Sequence, residues 1–108
     1  MNTTNLTVSP LAGALITEHF SIGQHGLEIG GLAVGDLVRQ FGSPLYLYDG
    51  ATLRRRYRAL AAALEGFADV YFSIKANPNP HLAAIFVEEG AGLEIASGAE
   101  YLLARRAG

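Results

Sequence analysis

From Leu45 onward, apolar segments of strand and helix character alternate, and the centres of successive strands lie about 24 residues apart. That spacing holds one strand, one helix and two short turns, the repeat of right-handed βαβ units around a parallel sheet. Leu45-Tyr46-Leu47-Tyr48 reads as the first strand. Asp49 then caps a helix whose Leu53, Tyr57, Leu60 and Leu64 fall on one stripe, and Gly66 ends that segment. Val70-Tyr71-Phe72-Ser73-Ile74 has the aromatic and β-branched content of a strand buried on both faces. Asn79 can cap the next helix with Pro80 at its first position, and Leu82, Ile85, Phe86 and Glu89 follow at helical spacing until Gly90. Leu93-Glu94-Ile95-Ala96 makes a third strand, and Ser97 starts a helix carrying Tyr101, Leu102 and Leu103.

Ahead of this repeat the signals are weaker. Residues 1–26 show no sustained period and read as an uninformative N-terminal extension; His19 and His25 lack partners at a ligand spacing and read as surface or local packing. Residues 27–44 form a lead-in: Leu27-Glu28-Ile29 alternates like a short strand and stops at Gly30-Gly31. Asp36 then precedes a helix with Leu37, Val38 and Phe41 on its apolar face, Gly42 closes it, and Ser43-Pro44 makes the connection. Residues 45–108 carry the repeat. With 108 residues, half of them hydrophobic, and a net charge of -2, the chain is globular, sufficient for one modest core and short for two full domains. The three strands of the repeat would leave broad apolar edges, so the sequence is expected to belong to a longer domain.

Several function classes are disfavoured. Without cysteine there is neither a disulfide framework nor a thiolate zinc site, and no metal site is expected. No apolar run approaches the ~20 residues that cross a bilayer, and the start lacks the charge and apolar stretch of a secretory signal, so a soluble cytoplasmic protein is expected. Arg54, Arg55, Arg56 and Arg58 lie inside a helical pattern and read as a solvated face rather than a nucleic-acid surface.

Parallel α/β folds place ligands at the carboxyl ends of their strands. Lys75, the sole lysine, follows Ile74 at that end. Partial desolvation there would favour the neutral amine, which attacks an aldehyde to form a Schiff base; the plain alternative is a lysine that simply reaches solvent. Glu94, at the corresponding end of the next strand, could pair with Lys75, accept a hydrogen bond from a ligand, or stand exposed. Ser97-Gly98-Ala99-Glu100 is a capping box, which accounts for Glu100 locally. His81 follows Asn79-Pro80 and could reach an anion or remain solvated. Gly90-Ala91-Gly92 precedes a strand, so the strand-to-helix context of a dinucleotide loop is missing.

Two motifs carry a family resemblance: Tyr71-Phe72-Ser73-Ile74-Lys75-Ala76-Asn77-Pro78-Asn79-Pro80, and Glu89-Gly90-Ala91-Gly92-Leu93-Glu94-Ile95-Ala96-Ser97-Gly98-Ala99-Glu100. Together they resemble the start of the alanine-racemase-like barrel of fold-type III pyridoxal-phosphate decarboxylases, the group of diaminopimelate and ornithine decarboxylases. Phe41-Gly42-Ser43-Pro44-Leu45-Tyr46-Leu47-Tyr48-Asp49 resembles the family's lead-in, with Ser43 where threonine is usual.

The resemblance implies an α/β fold made of the first βα units of an incomplete TIM barrel, with a lead-in that would belong to a β-domain. It implies pyridoxal 5'-phosphate as cofactor, an amino acid as substrate and a homodimer in the full-length protein. Lys75 would bind the cofactor covalently and later handle a proton. Glu94, where the family usually has aspartate, would lie close to the cofactor lysine, and Glu100 would support the site. The phosphate loop, the acid facing the pyridine nitrogen, and the second subunit's cysteine and aspartate would lie beyond Gly108, so these residues alone would be inactive. An amino-acid racemase on the same barrel, or a non-catalytic pyridoxal-phosphate-binding protein, are the alternatives.

Overall fold

The computed structural model describes residues 9–108. They form two compact units that divide between Tyr48 and Asp49.

The first unit is richer in regular structure than its sequence suggests. Helix α1 spans Pro10–His19, inside the stretch that shows no period. Its start follows ordinary capping chemistry: Ser9 Oγ accepts a hydrogen bond from Ala12 N at 3.3 Å, and Pro10 takes the first helical position. The helix buries no residue, and Leu11 is exposed, so its apolar residues trace no stripe for a periodicity reading to find. Strands β1 (Ser21–Gly23), β2 (Gly26–Ile29) and β3 (Leu32–Ala33) form an antiparallel meander, with Ile22 opposite Leu27 and Ile29 opposite Leu32. The two-residue link between β2 and β3 is Gly30-Gly31, with φ of 57° and 79°. Positive φ at both positions suits the hairpin turn whose twist matches its strands, and glycine adopts it freely. Helix α2 (Val34–Phe41) packs on β2 and β3, carries an Asp36–Arg39 ion pair, and closes at Gly42 with φ of 87°.

The expected strand over Leu45–Tyr48 is absent: this segment pairs with no strand among the described residues, and Tyr46 and Tyr48 are exposed. A strand exists only as one side of a ladder, and the low β-branched content here supplies no local preference to substitute for one.

The second unit follows the helix–strand repeat. Helix α3 spans Gly50–Ala63, and Asp49 caps it by accepting hydrogen bonds from Ala51 N at 3.0 Å and Thr52 Oγ1 at 2.6 Å. The Thr52 hydroxyl, aided by the backbone N–H groups, holds the Asp49 carboxyl below its ordinary range. Of the α3 stripe, Leu53, Tyr57 and Leu64 are half-buried while Leu60 is exposed. Strand β4 covers Tyr71–Ser73 and leads into a 3₁₀ turn over Ile74–Ala76; helix α4 is Pro80–Glu88, β5 is Gly92–Glu94 and α5 is Gly98–Ala107. β4 and β5 pair in parallel, with Tyr71 opposite Gly92, Phe72 opposite Leu93 and Ser73 opposite Glu94. Both strands are shorter than their apolar runs. β4 is not buried on both faces, since Tyr71 is exposed.

The core of this unit sits under α4. Ile74, Leu82, Ala83 and Ala91 are buried. The Phe86 ring stacks on Phe72 with centroids 4.3 Å apart and meets the Tyr57 ring edge-on at 6.3 Å, tying α4 to β4 and α3. Asn79 Oδ1 caps α4 by accepting from His81 N at 2.9 Å, with Pro80 at the first helical position.

Two of the four arginines of α3 have a structural use that their spacing alone does not show. Arg58 Nε and Nη2 donate to the two carboxylate oxygens of Glu89 at 2.5 and 2.7 Å. Arg54 reaches Glu89 at 3.0 Å and Glu88 at 2.6 Å. The Glu89 side chain is only 8 % exposed. Carboxylates at the C-terminal end of a helix meet its negative pole, so the two guanidinium groups offset an unfavourable placement while fastening α3 to α4.

Candidate active site

Lys75 owes its position to a change of backbone geometry. β4 ends at Ser73, the chain turns out of the sheet through Ile74–Ala76, and Asn77 N closes the turn on Ile74 O at 3.1 Å. Ile74 anchors the turn at 1 % exposure, which leaves the adjacent Lys75 exposed at the carboxyl end of the parallel pair. The expected partial desolvation of Lys75 is therefore not seen: within these residues it stands on a turn rather than at a buried strand edge. Among the described residues it makes no ion pair.

Glu94 is the last residue of β5, in register with Ser73, and it too is exposed. Its Oε2 accepts a hydrogen bond from Ser73 Oγ, so the carboxylate engages the neighbouring strand rather than Lys75. Ser73 is the site residue that the sequence reading passed over. The only signal for it is the register between segments some 20 residues apart, which no local pattern encodes.

Glu100 is half-buried in the first turn of α5, a helix that packs against the 3₁₀ turn. Ser97 Oγ accepts from Glu100 N at 3.2 Å, as a capping box requires. The return arm differs: Glu100 Oε2 accepts from Ala96 N at 2.6 Å, one residue before the cap. Glu100 thereby fixes the end of the β5–α5 loop rather than the cap's own amide. Lys75, Glu94 and Glu100 thus share the carboxyl end of the β4–β5 pair, but each carboxylate already has a donor from the chain.

Other candidates lie elsewhere. His81 is exposed in the first turn of α4. His19 lies 3.7 Å from the Glu18 carboxylate and edge-on to Phe20, while His25 lines a cleft of the first unit with Asp36 and Arg39. No group of three or more His, Asp and Glu residues among the described residues could hold a metal ion. No described helix is long and apolar enough to cross a membrane. Gly90-Ala91-Gly92 joins α4 to β5 and lines a cleft of about 510 Å³ with Tyr57, Glu65 and Tyr71. This cleft lies at the amino ends of the strands, whereas an amine and two carboxylates gather at the carboxyl ends, where ligand chemistry in such folds resides.

The residues fit a group with an aldehyde and a cationic ring. An exposed primary amine without a carboxylate partner is open to carbonyl attack, and oriented carboxylates stand at the same end of the sheet.

Residues 50–108 match the family model described as pyridoxal-dependent decarboxylase, pyridoxal binding domain. The chain is 44 % identical over 72 residues to an L-glutamyl-[BtrI acyl-carrier protein] decarboxylase of Niallia circulans, a match covering 67 % of this chain and 17 % of that protein. It is 40 % identical over 82 residues to the diaminopimelate decarboxylase of Aquifex aeolicus, covering 76 % of this chain and 19 % of that protein. The crystal structure of AQ1208 from Aquifex aeolicus superposes with a TM-score of 0.77 at 36 % identity, covering 83 % of this chain and 22 % of that one. The chain therefore spans about a fifth of the length of the relatives it matches. Its second unit is an open part of a TIM-barrel-like α/β arrangement behind a β-rich lead-in, with pyridoxal 5'-phosphate as the cofactor of its domain type. With a family model spanning more than half of its residues, the chain belongs to the pyridoxal-dependent decarboxylases, whose pyridoxal-binding domain it carries.

Proposed function

We propose that the whole protein removes the α-carboxylate of an amino acid as carbon dioxide, with pyridoxal 5'-phosphate held covalently on Lys75. The observation that carries this reading is the placement of the chain's only lysine, exposed and without an ion-pair partner among the described residues, on the turn that leaves the carboxyl end of β4. When bound, the cofactor accepts the electron pair left on the substrate α-carbon. Lys75 Nζ would hold the cofactor through its aldehyde, and as a primary amine at the same place it could also move a proton at the substrate α-carbon. Glu94 ends β5 with its carboxylate held by Ser73 Oγ, and Glu100 holds the loop between β5 and α5 in shape.

The matched relatives act on diaminopimelate and on an L-glutamyl group carried by a protein. A free or carrier-bound amino acid is the corresponding substrate class here. In this reading the protein is a homodimer of the cytoplasm, and the remaining groups of the site come from outside these 108 residues, which alone do not turn over substrate. No nucleic-acid partner belongs to this reading, in which Arg54 and Arg58 serve Glu88 and Glu89.

The test is to supply the cofactor-loaded whole protein with a panel of amino acids, following carbon dioxide release and exchange of the α-proton separately. Stoichiometric carbon dioxide from at least one amino acid, lost by at least about a hundredfold in Lys75→Ala, is expected. Proton exchange without carbon dioxide would make the protein a racemase, and cofactor binding with neither would make it a non-catalytic carrier.

A further inference from the structure

We propose that Ser73 is a positioning residue, whose hydroxyl holds the Glu94 carboxylate against β4 and so keeps it off the Lys75 amine. The proposal rests on the reading of Lys75 as the cofactor lysine, and three observations carry it. Ser73 and Glu94 are directly opposite each other in the last register pair of β4 and β5. Ser73 Oγ donates to Glu94 Oε2. One residue later the chain leaves the sheet, and buried Ile74 fixes a turn on which Lys75 stands exposed, without an ion-pair partner among the described residues.

Lys75 lies only two residues beyond Ser73, at most about 7 Å along the chain, within the joint reach of a lysine and a glutamate side chain. Released from the hydroxyl, Glu94 would be free to pair with the ammonium. An ammonium paired to a carboxylate keeps its proton more firmly, and only the free amine attacks a carbonyl. Besides Glu94, the titratable groups brought to this end of the sheet are Glu100 and Tyr101 from the first turn of α5 and His81 from the first turn of α4. Glu100 is committed to Ala96 N, so Glu94 is the carboxylate whose freedom a single hydroxyl controls.

The experiment uses the whole protein freed of cofactor, and follows acylation of Lys75 by an amine-selective reagent against pH, resolved by peptide mass. Ser73→Ala is expected to slow Lys75 acylation about tenfold at neutral pH and to move its pH profile up by about one unit. Ser73→Thr, which keeps a hydroxyl, should behave as the native protein, and Ser73→Ala with Glu94→Gln should recover the native rate. A merely structural role for Ser73 predicts no such recovery. Native reactivity in Ser73→Ala, or a double variant as slow as the single one, overturns the proposal. Borohydride treatment of the loaded native protein separates the two levels. Cofactor fixed on Lys75 with unchanged variant profiles sinks only the role of Ser73, whereas cofactor fixed elsewhere sinks the reading of Lys75 itself.

Discussion

Gly92 carries no side chain because the Tyr71 ring already occupies the place where one would go. A Cβ there would fall 2.2, 2.3 and 2.8 Å from Tyr71 Cε1, Cδ1 and Cζ, its cross-strand partner in the parallel pair. The ring is 65 % exposed, so it can swing away, at the cost of uncovering the backbone beneath it. Gly92→Ala is therefore expected to destabilise by about 1–2 kcal/mol. Adding Tyr71→Ala should recover part of that loss, and urea denaturation of the single and double variants measures the coupling. At this scale the sequence was uneven as a guide. Lys75 stood out because the only lysine follows an apolar run that ends at Ile74, and Glu94 because it ends the next one. The Ser73–Glu94 hydrogen bond and the Tyr71–Gly92 contact both depend on register, which neither segment contains by itself. Local reasoning could say only that Gly90-Ala91-Gly92 is no phosphate loop.

At the scale of elements, α3 and α4 are joined by charge as well as by aromatic packing. Arg58, and then Arg54, hold the Glu89 carboxyl below its ordinary range, while Glu88 and Glu89 raise Arg54 and Glu89 raises Arg58. A carboxyl depressed in the folded state adds stability above its unfolded value, near about 4.3, and that contribution fades as pH falls through the folded value. Glu89→Gln should therefore lower the melting temperature at neutral pH, with the difference from the native protein narrowing below about pH 4. Equal melting-temperature differences at pH 7 and pH 3 would contradict this. Helix starts were the most legible elements, since Asp49, Asn79 and Ser97 each accept a hydrogen bond from an amide in the first turn of the helix they cap. Helix α1 is not legible from periodicity because its apolar residues lack a stripe, although Ser9-Pro10 marks its start. Leu45–Tyr48 has the apolar composition of a strand but no ladder partner among the described residues.

For the molecule as a whole, the repeat of about 24 residues identified the βαβ character of the second unit, and the parallel β4–β5 pair with α4 between its strands is that unit in miniature. A two-stranded sheet covers little: Tyr71, Ile95, Tyr101 and Leu102 remain exposed while four hydrophobic residues are buried. Such a sheet is marginal without further strands, in keeping with a chain that spans about a fifth of its relatives. Sequence carried the family. It could not carry the exposure of Lys75, which follows from the turn taken after Ser73 and from what packs around it.

Borohydride reduction of the cofactor-loaded whole protein, followed by peptide mass mapping, tests whether Lys75 holds the cofactor. A pyridoxyl-phosphate mass increment is expected on the peptide containing Lys75 and on no other lysine, and none in Lys75→Ala. Bound cofactor with an unmodified Lys75 peptide would contradict it.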